Sequence, residues 1–222
     1  MKYIVVDLEM NPLSKVYKEE REICNNEIIE IGAVVLDENY NEIGSFKTIV
    51  KPRLNSKIET KVEKLTGITT DMVSSAPFFE DAVGMFFTWC DSIKENIQIL
   101  QWSDSDYAQL EKEMHLKGYK LTVQQEKLFT NWYDFQKEFG ETLGLERQLS
   151  LKKALMYAGI DFEGKEHDAL FDARNTATLV TIVRTPELCK QALDNVINAL
   201  TPKSINVSLG DMFDFSQLSL SA

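Results

Sequence analysis

The chain has 222 residues, 44% of them hydrophobic and 10% aromatic, which is enough to bury one substantial core and too apolar for a disordered protein. Its formal charge of −11, from 24 basic and 35 acidic residues, argues against long-range electrostatic capture of duplex DNA. The opening apolar run meets Asp7 too soon to be a signal-peptide core, and no later stretch is long enough to span a bilayer.

Tyr3 to Val6 is β-branched and uniformly apolar, which predicts a central strand buried on both faces. Met10 to Asn26 is polar and charged and reads as a solvated loop. Glu27 to Leu36 and Glu42 to Val50 are expected to form a strand hairpin around the turn at Asp37-Glu38-Asn39. Lys57 to Leu65 is a short helical stretch closed by Gly67, and Thr70-Asp71 opens a turn. A helix starts at Pro77 and runs to about Ile93, with Phe79, Val83, Phe86, Phe87 and Cys90 on its apolar side.

Ile97 to Trp102 is the fourth expected strand. Asp106 to Leu116 is helical and stops at Gly118, and Lys127 to Trp132 is the fifth expected strand. Leu149 to Ala158, Asp168 to Arg184 and Pro186 to Leu200 are further helices. For the second of these, Leu170, Ala173, Ala177, Val180 and Ile182 are expected to face inward. Beyond Pro202 a Ser-rich tail holds an apolar patch of Leu209, Met212, Phe213, Phe215 and Leu218, expected to pack back on the domain. A hairpin followed by alternating helices and strands predicts an α/β layer with a mixed sheet. Cys24, Cys90 and Cys189 are odd in number and lack metal-ligand spacing, so reduced thiols in a cytoplasmic protein are expected.

Three islands hold residues suited to chemistry. Asp7 and Glu9 are two apart, so an extended strand turns both side chains to one face; solvated acids at a strand end are the bland alternative. Asp106 stands after a strand and at the start of a helix, where a carboxylate also serves as an N-cap, and spacing does not separate it from Asp104. His167 and Asp172 would diverge by about 140° on one continuous helix. They share a cleft if His167 lies on the loop before it. Clustered carboxylates beside one histidine suit divalent metals and a general base, the equipment for hydrolysing a phosphodiester.

The ordered set resembles the DEDDh branch of the 3′–5′ exonuclease superfamily (DnaQ-like, with a ribonuclease-H-like fold). Asp7-Leu8-Glu9 is similar to its first motif and Trp102-Ser103-Asp104-Ser105-Asp106 to its second. The second has the form seen in the histone-mRNA, RNA-interference-type and KapD-like exonucleases. His167-Asp168-Ala169-Leu170-Phe171-Asp172-Ala173 resembles the third. Glu27 to Ala33 and Leu65 to Thr69 also look familiar from the family, while Phe171 stands where an acid is common and the Met10–Asn26 loop is unusually long and charged.

The resemblance spans about residues 1–184 and favours Asp106 over Asp104. It implies a three-layer fold with a mixed five-stranded sheet flanked by helices. The exonuclease domain would be residues 1–184, and residues 185–222 a C-terminal helix and tail packed on it. It also implies that Asp7, Glu9, Asp106 and Asp172 hold two Mg²⁺ or Mn²⁺ ions and that His167 is the general base. Leu8, Met10, Thr66 and Trp102 would contact substrate. Glu30, inside an apolar strand, is expected to be a buried structural carboxylate or a partner to the ligands. The substrate would be single-stranded or short nucleic acid with a free 3′ end, because two bound divalent ions still leave the chain at about −7, with RNA favoured over DNA because the second motif leans towards the RNA-processing relatives. A binding or regulatory module that keeps the fold with weak catalysis is the alternative, and the complete acidic set argues against it.

Overall fold

Strand β1 (Lys2–Pro12) forms because alternate residues find separate apolar surroundings on its two faces. Ile4, Val6 and Leu8 enter one buried cluster and Val5 the other. The strand runs past Asp7, where it was expected to end, because β2 (Asn26–Leu36) pairs with it antiparallel as far as Pro12 opposite Asn26. β3 (Glu42–Ile49) completes the expected hairpin, and β4 (Ile97–Gln101) and β5 (Trp132–Asp134) add in parallel on the other side of β1. The order β3-β2-β1-β4-β5 is a mixed five-stranded sheet. The computed structural model describes residues 1–200, so the tail patch from Leu209 to Leu218 lies outside the described residues.

Helices α1 (Lys18–Ile23), α2 (Thr60–Thr66), α3 (Thr70–Ser74) and α4 (Phe79–Ser92) follow the first strands. Gly67 closes α2 at φ 78°, a left-handed conformation that only glycine adopts without cost. The apolar side of α4 is as expected: Phe79, Val83, Phe86, Phe87 and Cys90 are buried with Ile4, Val6 and Leu8. Helices α5 (Ser105–Lys117), α6 (Val123–Phe129), α7 (Phe135–Thr142), α8 (Leu151–Tyr157), α9 (Ala169–Arg184) and α10 (Pro186–Leu200) complete the chain. On the opposite face, Phe135, Phe139, Leu155, Ala173, Ala177, Val180 and Leu193 of α7 to α10 pack with Val5 and Leu100. Leu170, expected inward, is only partly buried. Among the described residues no helix is long and apolar enough to cross a membrane.

Three expectations are corrected. The fifth strand is Trp132–Asp134, and most of Lys127 to Trp132 belongs instead to the end of α6 and its exit turn. A capping box decides this: Thr122 accepts from the Gln125 backbone N–H, and the Gln125 side chain accepts from the Thr122 N–H. The loop from Met10 to Asn26 contains the last residues of β1 and the exposed helix α1. Helix α7, unforeseen, buries Phe135 and Phe139 at helical spacing against Trp102.

The close approach of α9 to the sheet has a single cause. A Cβ on Gly32 would lie 2.2 Å from the Ala169 carbonyl carbon and 2.3 Å from the Leu170 nitrogen, so the start of α9 rests on bare backbone. Gly32→Ala is expected to cost roughly 1–3 kcal/mol by overpacking, read as a lower urea midpoint with an unchanged m-value. A variant as stable as the wild type would show that this contact is loose.

Candidate active site

The site is assembled at the end of β1. Asp7 and Glu9 continue the face of Val5, toward α9, as two-residue spacing requires. Beside them the β1–β2 register shifts between Glu9 and Met10, so that Glu9 faces Glu30 while Met10 faces Ile28. Such an irregularity re-aims side chains next to it. β4 runs parallel to β1 with Val6 opposite Gln101, so the chain leaving β4 delivers α5 to the same edge. Ligand sites in α/β sheets form at such carboxyl ends.

The structure separates the two rival aspartates. Asp106 is in the first turn of α5, 4% exposed, and lines the cleft with Asp7 and Glu9. Asp104 is exposed, makes no capping hydrogen bond and borders a different cavity with Tyr107 and Trp132. The Gln101 side chain takes the capping role, accepting from the Tyr107 N–H at 2.8 Å.

His167 lies on the loop before α9, and its φ of 63° swings its backbone N–H onto the Asp172 carboxylate at 3.1 Å. Its Nδ1 is 3.8 Å from Glu9 Oε1, too far for a hydrogen bond, and the imidazole is half exposed. One ligand atom from each of Glu9, His167 and Asp172 lies within 4.8 Å of the others. The loop is clamped from outside. Lys47 on β3 reaches Asp168 at 2.6 Å and Glu30 at 3.1 Å, Glu30 accepts the Ala169 N–H at 2.8 Å, and Asp168 caps α9. Glu30 is thus a buried structural carboxylate, as expected. Lys47 was not foreseen, because nothing local marks a lysine on an exposed strand as a partner for residues over a hundred positions away.

The cleft of about 680 Å³ is lined by Asp7, Leu8, Glu9, Met10, Trp102, Asp106, His167 and Asp172, all of them expected. Gln109 and Lys112 of α5 also line it and were not singled out. Trp102 is nearly buried, its indole donating to the Leu149 carbonyl at 3.1 Å, so it serves as a floor. Thr66, expected at the terminal sugar, does not line the cleft. Its hydroxyl donates to Val62 O and accepts from the Ile68 N–H, within a buried cap between α2 and the small cluster of Ile29, Ile58, Ile68 and Val73.

Electrostatics single out the four carboxylates. Burial, then the charges of Asp106, Asp172, Glu9 and Glu30, hold the Asp7 carboxyl well above the ordinary range. Burial, then Asp172 and Glu30, pushes Glu9 up to about 8. Asp106 is raised well above its usual value by burial and by Glu9 and Asp172, and Asp172 rises to about 6, chiefly through burial. Among the described residues none of the four has an ion pair with a lysine or arginine. A set of hard oxygen donors that repel one another without a counter-charge fits divalent cations.

The Exonuclease family model, of the RNase T type, matches residues 4–180. The solved nuclease domain of 3′hExo, a DEDDh family member bound to rAMP, superposes with a TM-score of 0.71 at 22% identity, covering 84% of this chain and 92% of that one. The fold is therefore that of the ribonuclease-H-like nucleases. The chain belongs to the exonuclease family, which implies divalent metal ions. It is 29% identical over 184 residues to ERI1 exoribonuclease 2 of Danio rerio, covering 75% of this chain and 33% of that one. It is 28% identical over 163 residues to 3′-5′ exoribonuclease 1 of Rattus norvegicus, covering 69% and 46%. The chain thus spans less than half the length of these two relatives.

The raised carboxyls set a pH dependence. A carboxyl that holds its proton more tightly folded than unfolded favours folding below the ordinary carboxylate range, and that contribution is lost as pH rises through the folded pKa. The metal-free protein is expected to lose melting temperature between about pH 5 and 8, the window set by Glu9 and Asp172. Mn²⁺ at about a hundred times its Kd is expected to restore about 5–10 °C near pH 8 and less near pH 5, where protons compete. Differential scanning fluorimetry in EDTA and in Mn²⁺ reads both; a gain independent of pH would separate metal binding from these carboxylates.

Proposed function

We propose that the protein is a metal-dependent 3′–5′ exonuclease that releases nucleoside 5′-monophosphates from single-stranded or short nucleic acid, RNA favoured over DNA. The observation that carries this reading is the convergence of Asp7, Glu9, Asp106 and Asp172 from three elements into one cleft beside His167. The exoribonuclease names of the two relatives support the preference for RNA. The free thiols of Cys24, Cys90 and Cys189 suit a reducing, cytoplasmic setting.

Asp7, Glu9, Asp106 and Asp172 hold two Mg²⁺ or Mn²⁺ ions, which when bound supply Lewis acidity and charge neutralisation at the phosphate. The half-exposed His167 removes a proton from the attacking water. The water oxygen bonds to phosphorus, the P–O3′ bond breaks, and the departing oxygen takes up a proton, leaving a new 3′ hydroxyl on the shortened strand. Leu8 and Met10, on the cleft wall beside the acids, pack against the terminal base, and the nearly buried Trp102 lines the same cleft. The overall negative charge disfavours long duplexes, so recognition is local to the 3′ end.

His167→Ala is expected to lower turnover about 10²- to 10⁴-fold, the usual contribution of a general base, with an unchanged melting temperature. Steady-state shortening of a 5′-labelled RNA measures it, and wild-type turnover would remove His167 from the mechanism. Asp106→Asn is expected to abolish Mn²⁺-dependent cleavage while Asp104→Asn stays near wild type. Equal losses would reverse the assignment of Asp106. Matched RNA and DNA oligomers in the same assay decide the preferred sugar.

A further inference from the structure

A second cavity, of about 760 Å³, opens where β1 ends. Its charge is opposite to that of the molecule. Lys15, Arg21, Lys57 and Lys61 line it, against the single acid Glu59, in a chain whose net charge is −11. Among the described residues none of these four cations is in an ion pair. The Arg21 Nε is buried without a hydrogen-bond partner, which is costly unless something else supplies an acceptor.

The walls are braced independently of any ligand. Tyr17 donates its hydroxyl to Leu54 O at 2.6 Å, tying the segment before α1 to the opposite wall. Asn11 donates to Lys57 O at 3.1 Å and accepts from the Glu59 N–H at 2.9 Å. The buried Glu27 carboxylate accepts from the backbone N–H groups of Arg53, Leu54 and Asn55, and is itself paired with Lys117 at 3.0 Å. A groove held this way binds without first having to order itself.

It also borders the catalytic cleft. Asn25 and Asn26 line the cleft, and they pair with Leu13 and Pro12, which line the groove. Pro12 is three residue steps along the strand from Glu9, about 10 Å at strand rise. That is the reach of a nucleic-acid strand lying with its 3′ end in the cleft. The cleft itself repels a phosphate backbone, so a strand of any length needs a local positive hold, and these four cations supply one.

We propose that this groove binds the phosphodiester backbone of the substrate strand on the 5′ side of the scissile phosphate. The proposal rests on the exonuclease reading for the direction of the strand. It predicts that affinity rises with strand length up to the reach of the groove, and that the rise depends on salt.

The test uses the full chain carrying Lys15→Glu and Lys57→Glu together, both exposed positions whose change leaves the core untouched. Fluorescence anisotropy of a labelled RNA of about twelve nucleotides, within the usual site size for single strands, is read in Ca²⁺ across a salt series. Cleavage of a dinucleotide in Mn²⁺ is measured alongside. The Kd for the longer RNA is expected to rise about tenfold or more, and the slope of log K against log salt to flatten by about 0.7 per lost phosphate contact, while the dinucleotide is cleaved as by the wild type. Lys61→Glu alone, elsewhere on the groove wall, is expected to act in the same direction and guards against a folding artefact in the double variant. An unchanged Kd for the longer RNA, or an equal loss on RNA and dinucleotide, overturns the proposal. If the wild type cleaves neither substrate, the exonuclease reading fails while the anisotropy measurement still decides the groove.

Discussion

Like charges held together govern this molecule. Four carboxylates sit in one partly dry cleft, each driven toward its protonated form by burial and three of them also by one another, and among the described residues no basic side chain is paired with any of them. Such a cluster persists only because the surrounding structure leaves it nowhere to go. β1 is buried on both faces, with α4 and α5 on one side and α7 to α9 on the other, so the strand that presents Asp7 and Glu9 cannot slip or twist to relieve their repulsion. The parallel pairing with β4 brings Asp106 to the same edge. The clamp of Lys47, Glu30 and Asp168, set on the bare backbone of Gly32, brings His167 and Asp172 from the other side.

Much of this was legible in the chain because its signals are local. The period-two placement of Asp7 and Glu9, the β-branched strand before them and the phenylalanine spacing of α4 need only their own neighbours to be read. Spacing alone left open whether His167 lies outside the helix that carries Asp172, and the start of α9 at Ala169 settles it. What escaped depends on tertiary pairing. The length of β1 past Asp7 is set by its partner β2, and the fate of Lys127 to Phe129 was decided by a capping box at Thr122 and Gln125 that competes with an apolar run. Spacing did not separate Asp104 from Asp106; the resemblance favoured Asp106, and the structure puts Asp106 and not Asp104 in the cleft. Thr66 was misplaced because a hydroxyl beside a glycine turn looks like a sugar contact until its hydrogen bonds inside the turn are seen.

The two concave regions carry opposite charge within one acidic chain. The cleft concentrates negative charge, which suits cations and excludes free phosphate groups. The groove beside it concentrates positive charge on rigid walls. Neither property follows from composition, since a formal charge of −11 says nothing about where the minority of lysines and arginines is gathered. The charged segment between Met10 and Asn26 supplies two of those cations, Lys15 and Arg21, and the segment before α2 supplies Lys57.

His167 has a further consequence through its backbone alone. Its φ of 63° lies where a side chain costs on the order of 1 kcal/mol, and glycine would occupy it freely. The imidazole is therefore kept against the conformational preference of its own main chain. Folding robustness and the chemistry proposed for His167 pull in opposite directions at this one position, and a search for hardier variants of the protein would drift first toward replacing that imidazole.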